Sequence, residues 1–391
     1  MYNPNFKKLE REYIFPVIEE KLRQLRIMQP DLDIVNLGIG DVAFPLSPVF
    51  LEAFERALSD MKGRVIGYGP SGGYDFLKKR IIEVEDYPLE PDEIFINDGI
   101  NHDISHFLEL FSSPLRIGMF DPTYPVYGDA ATLYGHEVIP LPCTPETGFG
   151  TSPPSMRLDA VFLCNPNNPT GTALSATSMA RWIAWANEYH SLLLFDCAYC
   201  DFIRSPEAAR SIYRFEGSKN VAVSFHSFSK SFGFTGLRLG YTIIPHEICA
   251  EKGSPSLHKL WNTIVNTKSN GTSYLTQKAG YYCLEEAARA EKSRLIAKYL
   301  ASASRLKQIL QPAGAAVYGG TDCPYVWWHA GNEMFDRLLN KHGIVTVPGS
   351  GFGKGGTGFI RLSGFISDIV LEKACTKLVQ CVPYEIPNHR S

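Results

Sequence analysis

The sequence has no surplus of positive charge: 38 Lys and Arg stand against 41 Asp and Glu in 391 residues, a formal net charge of −3. Binders of nucleic acid neutralise backbone phosphates with a basic excess or patch, so that class of partner is not expected. No run of some eighteen apolar residues is present, which leaves no candidate membrane-spanning helix. The opening Met1-Tyr2-Asn3-Pro4-Asn5-Phe6-Lys7-Lys8 lacks the apolar core of a secretory signal, and the cytoplasm is the expected location. Like-charge blocks, internal repeats and low-complexity segments are absent too, so neither an interaction tail nor a solenoid is expected. Paired cysteines are lacking as well. The nine present are an odd number scattered among apolar positions, as reduced core residues are, and not as a disulfide framework. What remains is an ordinary globular composition, 45% hydrophobic and 20% charged, with length enough for two or three domains and a sizeable core.

Three short motifs carry less than their letters promise. Cys197-Ala198-Tyr199-Cys200 has the C-x-x-C spacing but no second pair to complete a zinc site. His102 and His106 stand four apart, yet no glutamate follows the first and no third ligand is evident, so both are expected on a helix surface and no metal is expected. Gly351-Phe352-Gly353-Lys354-Gly355-Gly356 matches G-x-G-x-x-G, but it precedes a strand-like run where a dinucleotide fingerprint would follow one. A flexible loop beside an active site is the better expectation.

From Ser47 to about Leu284 the pattern alternates strand-like and helical segments. The strand candidates are Glu93 to Asn97, Arg116 to Phe120, Glu137 to Leu141, Ala160 to Cys164, Leu192 to Phe195, Val221 to Phe225 and Gly240 to Ile244. Helical stretches such as Ala176 to Tyr189 separate them, which predicts βαβ units, a mostly parallel sheet and an α/β fold. A polar amphipathic stretch, Val17 to Met28, and a run, Ile34 to Ile39, precede this region. After it come a charged helix from Glu285 to about Leu310, strands near Ala316 to Tyr318, Tyr325 to Trp328 and Phe359 to Leu362, and a last helix from Asp368 to Val379. The division expected is a large unit, 47–284, and a smaller α+β one made of 1–46 with 285–391.

The strand ends carry the chemistry. Lys230, in Ser227-Phe228-Ser229-Lys230, follows one apolar run; Asp196 ends the neighbouring one, and Arg238 lies a short way past the lysine. Ends of adjacent parallel strands deliver polar residues to one edge of a sheet. A lysine there can form a Schiff base, a carboxylate can keep a pyridine nitrogen protonated, and hydroxyls with an arginine can bind phosphate. Together these are the requirements of pyridoxal 5′-phosphate (PLP), the expected cofactor. Asn165-Pro166-Asn167-Asn168-Pro169-Thr170-Gly171 is a turn at another strand end, and Asn168 there, with Tyr199, is suited to donate to the cofactor's phenolate oxygen. Asp98-Gly99-Ile100-Asn101 leads into a helix, expected from Ile104 to Phe111, and its amides at Ile100 and Asn101 face an anion. Tyr124, in Asp121-Pro122-Thr123-Tyr124-Pro125, is placed to stack on the ring.

NPNNPTG, D-x-x-Y and S-F-S-K with its downstream arginine resemble the fold-type I PLP enzymes. Over nearly its full length the chain resembles the LL-diaminopimelate aminotransferase family. The closer resemblance rests on Asn36-Leu37-Gly38-Ile39-Gly40-Asp41, Gly67-Tyr68-Gly69-Pro70, Asn270-Gly271, Cys323-Pro324-Tyr325-Val326-Trp327 and Pro348-Gly349-Ser350-Gly351-Phe352-Gly353. The resemblance implies a homodimer with shared sites: Tyr68 would reach the neighbouring subunit's phosphate, and Asn270 would cross the interface. It also implies that Tyr13 and Gly40 line the substrate site and that Arg361 binds the substrate α-carboxylate, a match for a planar guanidinium. The substrates implied are an amino acid and a 2-oxo acid, with Lys230, Asp196 and Tyr199 as the catalytic set.

The chain departs from the family pattern at Ser71, where an acidic residue is expected, and at Asn101, where a lysine is. Neither supplies a charge for the far end of diaminopimelate. A transaminase acting on another amino acid is therefore the first alternative and a PLP-dependent lyase the second. A PLP-binding regulatory module would need an attached DNA-binding unit, for which no basic segment exists.

Overall fold

The computed structural model describes residues 2–9, 13–112, 114–249, 253–311 and 315–385, with side chains to residue 380. Thirteen strands are present among them: β1 Val35–Asn36, β2 Ile94–Asn97, β3 Arg116–Asp121, β4 Glu137–Pro142, β5 Ala160–Cys164, β6 Leu192–Asp196, β7 Ala222–Ser227, β8 Gly240–Ile243, β9 Ala316–Gly319, β10 Tyr325–His329, β11 Ile344–Val345, β12 Val347–Pro348 and β13 Phe359–Ser363. The helices are α1 Ile14–Met28, α2 Pro48–Asp60, α3 Asp75–Glu85, α4 Ile100–Phe107, α5 Val126–Leu133, α6 Ala176–Tyr189, α7 Leu257–Lys268, α8 Tyr274–Cys283, α9 Glu286–Leu310, α10 Met334–His342 and α11 Asp368–Glu385. No helix among the described residues is long and apolar enough to cross a membrane.

Seven strands form the main sheet in the order β2-β8-β7-β6-β5-β3-β4. All run parallel except β8, which pairs antiparallel with both β7 and β2. The central strands β5 and β6 are buried along their whole length, because both faces of the sheet are covered there. Leu193 and Phe195 of β6 join one core cluster while Leu194 joins the other, the period of two expected of a strand. The expected α/β fold with a mostly parallel sheet is present. α6 coincides with its predicted span; its N-cap Ser175 accepts from the Ser178 amide, and His190 ends it in a left-handed conformation.

A second, antiparallel sheet runs β12-β13-β10-β9, and β1 pairs with β11 in parallel. The segment after β1 is threaded onto these strands: Leu37 N–H donates to Val345 O at 2.8 Å and Leu37 O accepts from Ser363 N–H at 2.7 Å. That pairing carries Gly38 and Gly40 to Arg361 on β13. The helix expected from Ile104 to Phe111 begins four residues earlier, at Ile100, and gives way to a 3-10 turn after Phe107. Ile100 and Asn101 therefore stand in its first turn. The Gly351–Gly356 segment forms two 3-10 turns docked on the end of β3, with Gly355 N–H donating to Asp121 Oδ1 at 2.9 Å.

Candidate active site

Because β2, β3, β5, β6 and β7 point the same way, their C-terminal ends meet at one edge. A cavity of about 380 Å³ lies over that edge, closed from the other side by β10, β13 and the chain after β1. Lys230, Asp196, Tyr199, Ser227, Ser229 and Arg238 all line it. So do Ile100, Asn101, Tyr124 and Asn168, and from the opposite wall Tyr13, Gly40 and Arg361. Tyr68 and Asn270 do not. Tyr68 is 90% exposed on the outside of the chain.

Lys230 is half-buried, and its ammonium donates to Gly40 O. Burial lowers its pKa to about 8, with the Arg361 and Arg238 charges acting the same way and Asp41 opposing them. Asp196 is buried. Its Oδ2 accepts from Tyr127 Oη at 2.6 Å and its Oδ1 from the Ala198 amide at 2.8 Å. Burial raises its pKa against both hydrogen bonds, because neither partner carries a charge. A buried carboxylate lacking a cationic partner, facing a cavity that also holds an amine, fits a cofactor with a protonated ring nitrogen and a carbonyl.

At the other end, Ser227 Oγ accepts from the Ser229 amide at 3.0 Å and α4 presents its first turn. Arg238 adopts φ +56 and donates to Thr235 O at 2.8 Å. Its guanidinium lies against Gly99, where an added Cβ would come within 2.0 Å of Nη2 and where φ is +115. Only glycine fits there. Hydroxyls, a guanidinium and a helix N-terminus together fit a phosphate.

The Asn-rich turn divides its labour. Asn165 is tied down by Ala209 O and the Leu174 amide, and Asn167 by Pro122 O and the Thr123 and Thr170 hydroxyls. Asn168 alone reaches the cavity, where its Oδ1 accepts from Arg361 Nη1 at 2.7 Å and leaves its amide N–H groups to donate. Arg361 is 1% exposed and sends Nη2 to Gly38 O at 2.9 Å. Its Nε has no hydrogen-bond partner, and no carboxylate neutralises it among these contacts. The rings of Tyr325 and Phe352 lie 4.3 and 4.9 Å from the guanidinium carbon.

Several lining groups escaped the sequence reading. Tyr325 exchanges a 2.7 Å hydrogen bond with Tyr199, and burial raises its pKa to about 12. Tyr127 holds Asp196; Phe15 and Asp41 complete the wall. Tyr127 sits three residues after Tyr124 and Tyr325 inside a strand, so packing aromatics was the natural reading of both. Elsewhere, eight cysteines are free among the described residues, with Cys249 exposed, and the side chain of Cys381 lies outside them. His102 is exposed as expected, whereas His106 is part-buried against Glu109.

A family model described as aminotransferase class I and II matches residues 32–378. The LL-diaminopimelate aminotransferase of Phocaeicola vulgatus is 37% identical, over 97% of this chain and 98% of that protein. The enzyme of the same name from Agathobacter rectalis is 38% identical, over 93% and 95%. Among solved structures, the L,L-diaminopimelate aminotransferase of Chlamydomonas reinhardtii superposes with a TM-score of 0.92 at 32% identity, over 97% of this chain and 98% of that one. An aspartate aminotransferase of Thermus thermophilus, 20% identical with a TM-score of 0.82, shares the fold.

Proposed function

The chain belongs to the class I and II aminotransferases, and we propose that it moves the amino group of LL-diaminopimelate to 2-oxoglutarate, with PLP as cofactor, in a homodimer with shared sites. The observation that carries the amino-acid reading is Arg361. A buried guanidinium with an unpartnered Nε, facing a cavity that holds a lysine amine, is a seat for a substrate carboxylate.

Lys230 would anchor the cofactor; Asp196 would hold its ring nitrogen, Asn168 and Tyr199 its phenolate oxygen, and Ser227, Ser229, Arg238 and the α4 amides its phosphate. Bound PLP supplies an electron sink for the pair left on the substrate Cα when its proton departs. The residues do the rest. Arg361 fixes the carboxylate and so turns the Cα–H bond toward the lysine side of the cavity. The Lys230 amine, with its pKa drawn toward neutrality by burial, takes that proton and later returns one. Tyr124, Phe15 and Tyr325 exclude bulk water from the reacting centre.

The seven-stranded sheet falls within 47–284 and the four-stranded one within 285–391, which supports the two-unit division read from the sequence. Val65 and Tyr68 stand out 98% and 90% exposed on one loop, which supports a partner chain covering it. One observation favours the alternative donor: Asn101 lines the cavity as a neutral group, and its Oδ1 accepts from Tyr124 Oη at 3.4 Å. A single-turnover panel of amino acids, followed by loss of the yellow cofactor absorbance and identification of the keto acid, tests the reading. LL-diaminopimelate converted no faster than neutral amino acids overturns the substrate; ammonia release without a 2-oxo acid overturns transamination.

A further inference from the structure

Away from the cavity, three chain segments bring Asp92, His246 and His258 together, with one donor atom of each within 4.8 Å of the others. Asp92 lies in the 3-10 turn before β2, His246 just past β8, and His258 in the first turn of α7. The backbones that carry them are fixed. Glu93 is 2% exposed; its Oε1 accepts from the His246 amide at 2.9 Å and its Oε2 from the Glu90 amide at 2.8 Å. Leu257 N–H donates to Ile248 O at 2.8 Å and ties the start of α7 to the same loop.

The side chains are set for more than an ion pair. His246 Nε2 lies 3.1 Å from Asp92 Oδ2, and the two imidazole rings are 4.1 Å apart. His258 Nε2 lies 3.0 Å from Asp92 O. A carbonyl only accepts, so that nitrogen carries the proton and Nδ1 is the lone-pair nitrogen of a neutral ring. An outer N–H donated to a backbone carbonyl is the usual orientation of a metal-ligating histidine. Bonds of about 2.0–2.1 Å at tetrahedral angles require donor separations of roughly 3.3 Å. The Asp92–His246 pair, at 3.1 Å, already meets that, and the donor atom of His258 lies within 4.8 Å of both.

His102 and His106 provide an internal contrast. Their rings are also 4.1 Å apart, but the Lys268 ammonium lies 3.3 Å from His106 Nδ1, so a fixed cation already occupies the place of an ion.

We propose that Asp92, His246 and His258 form a surface site for a borderline-soft divalent cation of the Zn²⁺ class, bound by two imidazole nitrogens and one carboxylate oxygen, with water completing the shell. The ion clips the turn before β2 to the exit of β8 and the head of α7. Its place is structural, since none of the three residues lines the active-site cavity.

The test is calorimetric titration of EDTA-treated holoenzyme with ZnCl₂ alone, repeated with CoCl₂ to read the coordination spectrum. One ion per chain is expected, together with a raised melting midpoint. His246→Ala and His258→Ala should each weaken binding at least about tenfold, no less than the loss of an outer-shell partner costs. His102→Ala should leave it unchanged. Turnover should be retained in all three variants, which certifies their folding. Absence of binding at millimolar Zn²⁺, or binding that survives the double variant of His246 and His258, overturns the proposal.

Discussion

The two walls of the active-site cavity are built differently. The floor rises from the ends of parallel strands, and its polar groups are held by partners of their own: Asp196 by Tyr127 and Ala198, Ser227 by Ser229, Arg238 by Thr235. The opposite wall depends on one guanidinium, Arg361, suspended between Asn168 of the floor and Gly38 of the segment after β1, with one nitrogen unpartnered. A floor assembled before any ligand arrives suits a permanent cofactor. A wall with an unfilled donor suits something that comes and goes. The difference separates variants that should disable chemistry from variants that should change what is bound.

Lys230→Ala makes the largest break in that comparison. Removing a positioned acid–base group costs about 10²–10⁴-fold, and Lys230 is also the proposed covalent anchor, so turnover should fall beyond the upper end of that range. PLP should still bind, because the floor keeps Asp196, Ser227 and Arg238. Borohydride reduction of the wild-type holoenzyme and peptide mapping should label Lys230; a label on another lysine sinks the assignment.

Arg361→Ala should strike the other wall. Truncating one member of a buried, hydrogen-bonded charge pair costs about 2–5 kcal/mol, or roughly 30- to 5,000-fold in kcat/KM for the amino acid. PLP affinity should hold within about threefold, a shift of well under 1.4 kcal/mol. If PLP affinity and amino-acid kcat/KM fall together, the two walls are not independent.

Asp196→Asn sharpens the description of the floor. Burial raises the pKa of Asp196, so the fold favours its neutral form. In cofactor-free protein that contribution to stability is complete below the ordinary carboxylate pKa and is lost as pH rises through the elevated one. The asparagine variant should therefore melt no lower than wild type without PLP at pH 7. With PLP and substrates its turnover should be on the order of 10²-fold lower, the scale of losing one preorganised electrostatic group. A variant that is both less stable without PLP and near-normal in turnover would falsify the role given to Asp196.

Much of the floor was legible because each part is local. An apolar run followed by a polar turn announces a buried strand and what it delivers, as Leu192–Asp196 and Ala222–Ser227 do. The pairing order was not legible. Nothing within Gly240–Ile243 says that it runs antiparallel between β2 and β7, since that depends on partners far along the chain. The start of α4 was misread because Gly99-Ile100-Asn101 lacks a capping side chain, and the helix opens on a glycine at φ +115 instead. Tyr127 and Tyr325 were missed for the same kind of reason. A tyrosine between apolar neighbours reads as packing until the fold shows which hydroxyl meets Asp196 or Tyr199.

The smallest expected effect tests the substrate wall where the chain departs from the family pattern. LL-diaminopimelate carries an ammonium and a carboxylate at its far end, and Asn101, the neutral residue beside Tyr124, offers that end hydrogen bonds only. Ser71 lies outside its own chain's cavity, in a groove with Asp98, His102 and Lys268, so it would serve the neighbouring subunit's site in the proposed dimer. Restoring both charges, Ser71→Glu with Asn101→Lys, adds two partly solvated ion pairs of the kind each worth about 0.2–1 kcal/mol. Turnover of LL-diaminopimelate at low concentration should therefore rise about 1.4- to fivefold for each pair that forms, while neutral amino acids gain nothing. Equal changes for both substrates would place the far-end contacts elsewhere in the wall. A loss for LL-diaminopimelate alone would mean that the hydrogen bonds of Asn101 already serve it, and that this chain recognises the doubly charged end without a matching charge.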